Sequence, residues 1–178
     1  IKLLENEAKS NEEGYNDFYE QYRHFIKEGV ITDNDHREEL SKLLRFESSM
    51  TEKGTMTSLD DYLSRMKESQ DKIYYQVSSD RESIEAAPYL EAFKARSLEV
   101  LFLCEPIDEY LVGNLTTYQE KDLVSIDKSG LELEKIDSDG EGLDEKSMNS
   151  LCEWMKETLG EKVTEIKSSD RLINSPAA

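Results

Sequence analysis

The sequence has few of the residues that cross-link a fold or bind metal. Of its 178 residues, two are cysteine and two are histidine, too few for a disulfide framework or a metal cluster. We therefore predict that Cys104 and Cys152 are both free thiols. The longest nearly apolar run, residues 98–104, is far shorter than the ~20 residues of a membrane-spanning helix, so no such helix is predicted.

Positive charge is also scarce. The chain carries 22 Lys and Arg residues against 40 Asp and Glu residues, which gives a formal net charge of −18. A surface of this sign repels nucleic acid phosphates and anionic lipids, so we expect neither nucleic acid nor membrane partners. The hydrophobic content of 37% is patterned along the chain, which predicts a folded protein.

Helical spacing of apolar residues predicts amphipathic helices in the first third of the chain. The clearest has an aromatic face between Tyr15 and Ile26 and is expected to end at Gly29. A second helix is predicted after Asp33. A third is predicted to begin at Ser58, where the residues match a capping-box variant.

The middle of the chain predicts an α/β unit. Three short runs, at 72–77, 98–103 and 123–126, are typical of buried strands, and they alternate with helices that begin near Pro88 and Pro106. About twenty residues separate successive strands, which is the length of a crossover connection. We therefore predict a three-stranded parallel sheet with helices on both faces.

The end of the chain predicts a linker and part of a second unit. Residues 128–147 are acidic and contain glycines, as is typical of a solvated linker. A helix is predicted over 148–160 and a strand over 163–167. Because the chain opens at Ile1 rather than Met, we expect it to be part of a longer protein.

The sequence contains no recognisable catalytic or cofactor site. Glycine-rich phosphate-binding motifs are missing, and the turn after the second strand presents Glu105 where a phosphate would need backbone N–H groups. The segment 137–142 matches the opening of a calcium-binding loop, but Met148 stands where a bidentate glutamate is required. His24 and His36 are remote in sequence from either cysteine. We predict no catalytic, cofactor-binding or metal-binding residues.

Two features could serve partner binding. Glu109 and Tyr110 place an aromatic ring beside an acid on the predicted Pro106 helix, and Trp154 flanks a Met-rich stripe. Each has a structural alternative. Tyr110 could lie on the core face of its helix with Ile107 and Leu111, and Trp154 could pack within its own domain.

Seven segments carry a match to one protein family. They are Lys42-Leu-Leu-Arg-Phe-Glu-Ser-Ser49, Thr57-Ser-Leu-Asp-Asp-Tyr-Leu-Ser-Arg-Met-Lys67, Lys72-Ile-Tyr-Tyr75, Glu99-Val-Leu-Phe102, Glu105-Pro-Ile-Asp-Glu-Tyr110, Asp122-Leu-Val-Ser-Ile126 and Trp154-Met155. In this order they resemble the middle domain of the heat shock protein 90 family of chaperones, and the resemblance covers essentially the whole chain. Phe46-Glu-Ser-Ser49 and Trp154-Met155 resemble the mitochondrial member, whereas Glu105-Pro-Ile-Asp-Glu-Tyr110 resembles the cytosolic ones, and we favour the mitochondrial member.

The resemblance implies an ATP-driven homodimeric clamp that assists protein folding by binding unfolded or partly folded client proteins, with co-chaperones as further partners. It implies a mitochondrial location, with a cytoplasmic one as the alternative. In the full-length family ATP and Mg²⁺ are bound by regions that have no counterpart in this chain. The segment is therefore expected not to hydrolyse ATP alone, and to contribute client contact through Glu109, Tyr110 and Trp154, together with inter-domain coupling. The alternative is a structural relay without client contact.

The resemblance also implies a division of the chain. Residues 1–57 would be a helical linker of the middle domain and 58–127 its small α-β-α subdomain with a three-stranded parallel sheet. Residues 128–147 would be the acidic linker, and 148–178 the start of a partial α+β C-terminal dimerisation domain.

Overall fold

The computed structural model describes residues 1–128, 131, 133 and 143–168, which form eight α-helices and five β-strands. The helices are α1 (Lys2–Ser10), α2 (Glu12–Thr32), α3 (Arg37–Ser41), α4 (Leu59–Arg65), α5 (Arg81–Glu85), α6 (Pro88–Ala95), α7 (Pro106–Asn114) and α8 (Glu145–Leu159). The strands are β1 (Glu47–Ser48), β2 (Lys72–Val77), β3 (Val100–Leu103), β4 (Thr117–Tyr118) and β5 (Lys121–Ser125).

The strands form one mixed sheet in the order β1-β3-β2-β5-β4. The three central strands are parallel, with Tyr74 opposite Val100 on one side and opposite Val124 on the other. This confirms the predicted α/β class and the parallel core of the sheet. The two edge strands are antiparallel to their neighbours and were not predicted, because a strand of two residues is too short to show a period.

Helices cover both faces of the sheet, which confirms the predicted three layers. Alternate side chains of a strand point to opposite faces. Ile73 and Leu101 accordingly join a buried cluster with residues of α2, α4 and α7. Tyr74 and Phe102 join a second cluster with residues of α5 and α6, where the Tyr74 and Phe93 rings meet edge to face at 4.8 Å.

The long helix α2 does not end at Gly29, as predicted, but continues to Thr32. Glycine suits position 29 inside this helix because the Leu40 side chain packs closely against it. A Cβ atom at position 29 would lie 3.3 Å from a methyl carbon of Leu40. The helix ends at Asp33, whose backbone N–H donates to the Gly29 carbonyl.

The start of most predicted helices is confirmed. Ser58 and Asp61 form the capping box of α4, and Pro88 and Pro106 stand at the first position of α6 and α7. The cap of α5 is Asp80, whose carboxylate accepts a hydrogen bond from the Ser83 N–H at 2.8 Å.

The last described element is α8, which begins after the capping residue Asp144 and is followed by a short 3₁₀ turn at Gly160–Lys162. The strand predicted over 163–167 does not form, and within the described residues no other strand lies beside it to supply hydrogen bonds. The calcium-like segment 137–142 and most of the predicted linker lie outside the described residues. No described helix is long and apolar enough to cross a membrane.

Candidate functional site

The first candidate site lies on α7, which follows strand β3 directly. Pro106 suits the first helical position because its ring presets φ and its missing N–H would be unpaired there. The carboxylate of Asp108 accepts a hydrogen bond from the Glu105 backbone N–H at 3.0 Å and closes the first turn. Leu111 and Leu115 are buried in the core cluster shared with α2. These contacts determine which face of α7 is exposed.

Glu109 and Tyr110 lie on the exposed face of α7. The Tyr110 side chain is 69% exposed, and Glu109 is exposed beside it. The alternative that Tyr110 joins Leu111 in the core is therefore wrong. Because successive helical residues are rotated by about 100°, Tyr110 points roughly opposite to the buried Asp108, two residues earlier. A large aromatic ring in water with an acid beside it is suited to apolar and basic stretches of another polypeptide.

An ion network that the sequence did not predict holds the inner face of α7 against α2. The Lys27 Nζ atom lies 2.7 Å from Asp108 Oδ1 and 2.9 Å from Glu105 Oε2, and Arg23 also pairs with Glu105. The Lys27 and Asp108 side chains are only 4% and 1% exposed. A signal was available in the sequence, since Lys27 follows Ile26 on the apolar side of α2.

A cavity of about 140 Å³ lies beside this network. Its walls include Tyr19, Lys27, Phe46, Cys104 and Asp108. The buried Tyr19 hydroxyl has no hydrogen-bond partner with good geometry, and burial raises its pKa well above the ordinary value of 10.0. A backbone hydrogen bond from Arg45 acts in the opposite direction and lowers this pKa.

Trp154 lies on α8 and is 61% exposed. None of the α8 residues is buried, and within the described part of the chain neither buried cluster includes Trp154. Its apolar neighbours Met148 and Met155 are half-buried, and Leu151 and Leu159 are exposed. The candidate residues thus belong to two different helices, with Glu109 and Tyr110 adjacent on α7 and Trp154 on α8.

The Cys104 thiol and the His36 imidazole both have pKa values raised by their surroundings. Both cysteines are free, as predicted, and burial raises the pKa of the Cys104 thiol to about 11. A thiol with this pKa is almost entirely protonated near neutral pH and is a poor nucleophile. His36 is exposed and pairs with Asp33 at 2.9 Å, which raises the pKa of the imidazole. Among the described residues, no group of His, Cys, Asp and Glu could hold a metal ion.

Comparison with known proteins identifies relatives along the whole chain. Residues 1–178 match the family model described as Hsp90 protein. The chaperone protein HtpG of Desulfitobacterium hafniense (strain Y51) is 42% identical over 182 residues, which cover 99% of this chain and 29% of that protein. Heat shock protein 90-5, chloroplastic, of Arabidopsis thaliana is 41% identical over 174 residues, which cover 98% of this chain and 22% of that protein.

These comparisons correct one expectation. HtpG of Desulfotalea psychrophila (strain LSv54 / DSM 12343) is 40% identical over 182 residues, so the relatives described here are bacterial or chloroplastic. The resemblance to the mitochondrial member, and the mitochondrial location that it implied, are not supported. The chain spans less than a third of the length of these relatives. It covers 29% of the length of each HtpG protein.

Proposed function

Because the chain belongs to the Hsp90 protein family, we propose that it is a segment of an ATP-dependent chaperone that contacts unfolded or partly folded client proteins. The observation that carries this proposal is the 69% exposure of Tyr110 on α7. Aromatic side chains dominate many protein–protein contacts because they bury a large area at a low cost in side-chain entropy. An exposed ring on a helix that is otherwise well anchored is suited to this role.

The negative charge of the chain favours basic clients. The net charge of −18 attracts basic polypeptides and speeds their association at low salt. Glu109, beside the Tyr110 ring, supplies a carboxylate at the proposed contact itself. We therefore propose that Glu109 and Tyr110 contact basic and apolar stretches of a client, with Trp154 on α8 as a second contact.

The other activities of the family are proposed for the full-length protein only. We propose ATP and Mg²⁺ binding, ATP hydrolysis and homodimerisation for a full-length protein of the length of the HtpG relatives, of which this chain covers 29%. Co-chaperones are further proposed partners. A cytoplasmic location is compatible with the bacterial relatives.

A specific observation favours a second function, a structural relay. Lys27 joins the 21-residue helix α2 to α7 through buried charges, so a displacement of one helix would be transmitted to the other. In the relay alternative, coupling between domains is the only role of this segment and Tyr110 contacts no client. The two functions differ in what the Tyr110 side chain does.

Substitution of Tyr110 by alanine tests the proposed function. We expect Tyr110→Ala to weaken binding of reduced, carboxamidomethylated ribonuclease A, a soluble, basic unfolded protein, by about tenfold, because the exposed ring is the main apolar contact. The measurement is a titration of the full chain followed by nuclear magnetic resonance. The melting temperature should stay close to that of the parent, since the ring is mostly in water.

Phe25 provides a matched control for this experiment. It is 66% exposed on α2, so it offers a similar aromatic area on a different helix. We expect Phe25→Ala to leave client binding unchanged. Equal losses in the two variants would indicate nonspecific adhesion to exposed rings, and no loss with Tyr110→Ala would favour the relay.

A further inference from the structure

We propose that Lys27 and Asp108 are positioning residues for the client-contact surface, because their ion pair holds α7 in the one orientation that turns Tyr110 outward. This inference rests on the proposed function of Tyr110. Neither residue would touch a client. Their role is to determine where the residues that do so are presented.

The contacts of Lys27 converge on the first turn of α7. Its Nζ atom donates a hydrogen bond to Glu105 Oε2 at 2.9 Å and lies 2.7 Å from Asp108 Oδ1, an ion pair without hydrogen-bond geometry. The same atom lies 5.7 Å from the centre of the Phe46 ring. Asp108 uses its other carboxylate oxygen, Oδ2, to accept the Glu105 backbone N–H. One buried carboxylate therefore both caps α7 and anchors it to α2.

Because both charges are buried, this ion pair restricts the position of α7 relative to α2. Burial raises the pKa of the Asp108 carboxyl, and the neighbouring Lys27 ammonium opposes the shift by stabilising the charged form. A buried pair adds little net stability compared with apolar residues, yet losing one partner leaves the other charge uncompensated. Leucine contacts alone would tolerate a rotation of α7, whereas a rotation that separates Asp108 from Lys27 would leave two buried charges uncompensated.

The orientation of α7 decides the exposure of Tyr110. Asp108 points towards α2, and Tyr110 lies about 200° further round the helix, so it faces solvent. Rotating α7 to release Asp108 would carry the Tyr110 ring towards the body of the protein. The cavity of about 140 Å³ beside Asp108 gives water room to enter when the pair is broken.

The test is Lys27→Met in the full chain, with two readouts. Hydrogen exchange of the α7 amides should accelerate by about tenfold or more while the amides of β2, β3 and β5 stay protected. Affinity for reduced, carboxamidomethylated ribonuclease A should fall by about fivefold, the scale of a modest coupling between positions. Lys27→Arg, which keeps the charge, should restore part of both.

Lys53→Met is the matched control, because the Lys53–Glu82 pair is also a Lys–Glu contact but its side chains are 73% and 64% exposed. It should change neither readout. If Lys27→Met does not fold, Asp108→Asn removes the charge while keeping an acceptor for the Glu105 N–H, and the same changes are expected.

The results separate this inference from the proposed function. Unchanged α7 exchange in a folded Lys27→Met or Asp108→Asn chain would overturn the positioning role. Unchanged affinity in Tyr110→Ala would overturn the proposed function, whatever happens at α7. Faster α7 exchange with undiminished client affinity would show that the ion pair is structural only, and would also overturn the inference.

Discussion

At the scale of single residues, Glu99 shows how one buried carboxylate connects three parts of the fold. It is 5% exposed and stands just before β3. Its Oε1 atom accepts a hydrogen bond from the Ser48 hydroxyl of β1 at 2.6 Å and pairs with Arg65 of α4 at 2.8 Å. Its backbone carbonyl accepts the buried Tyr62 hydroxyl at 2.9 Å.

We expect Glu99→Gln to destabilise the fold by about 1–3 kcal/mol, because it removes one charge of a largely buried pair while Arg65 stays partly in water. The free energy of unfolding is measured in urea. Glu82→Gln removes the same charge from the exposed pair with Lys53 and serves as the control, with no expected change in the unfolding midpoint. Equal effects in the two variants would contradict the role assigned to Glu99.

At the scale of elements, the β4–β5 hairpin has an unusual turn. Its two central residues, Gln119 and Glu120, have φ angles of 45° and 63°. This conformation is the one required by a two-residue hairpin turn that matches strand twist, and it is normally supplied by Asn-Gly. Gln119 is held by a hydrogen bond from its side chain to Asp60 at 2.7 Å, whereas Glu120 is exposed.

We expect Glu120→Gly to stabilise the protein by about 0.5–1 kcal/mol, because glycine adopts positive φ without the Cβ clash of other residues. The measurement is again the free energy of unfolding in urea. Glu120→Ala removes the same side chain but keeps the Cβ atom, so it should give no such gain. An equal gain in the free energy of unfolding with alanine and with glycine would show that the stabilisation comes from removing the Glu120 charge and not from the backbone conformation.

At the scale of the whole molecule, uncompensated negative charge dominates. The net charge of −18 produces self-repulsion in the compact state that the unfolded chain relieves. Several of the ion pairs, such as Lys53–Glu82, are exposed and contribute little. Long-range repulsion is therefore expected to outweigh attraction between exposed pairs.

This balance predicts the effect of salt. The melting temperature should rise by about 2–5 °C from 0.01 M to 0.1 M NaCl, because the Debye length falls from about 30 Å to about 10 Å over this range. The measurement is scanning calorimetry, with KCl as a control for specific ion binding. A fall in the melting temperature would show that exposed ion pairs matter more than net charge.

Much of the architecture follows from the sequence alone, because it depends on local signals. The spacing of apolar residues located α2, α4, α7 and the three central strands, and the proline and capping residues located most helix starts. The motif strings were sufficient to identify the family. The lengths of the connections predicted a parallel central sheet, since crossovers of this length join parallel strands.

Only the tertiary structure decided which faces and edges these elements use. The spacing of α7 allowed Tyr110 on the core face. It is exposed because α7 turns Leu111, Leu115 and Asp108 inward, where Asp108 meets Lys27 of the distant helix α2. The two-residue edge strands, likewise, exist only where β3 and β5 offer free backbone groups. Local patterns determine elements, whereas contacts between distant residues determine their orientation, because the burial of a charge depends on the partner that it meets.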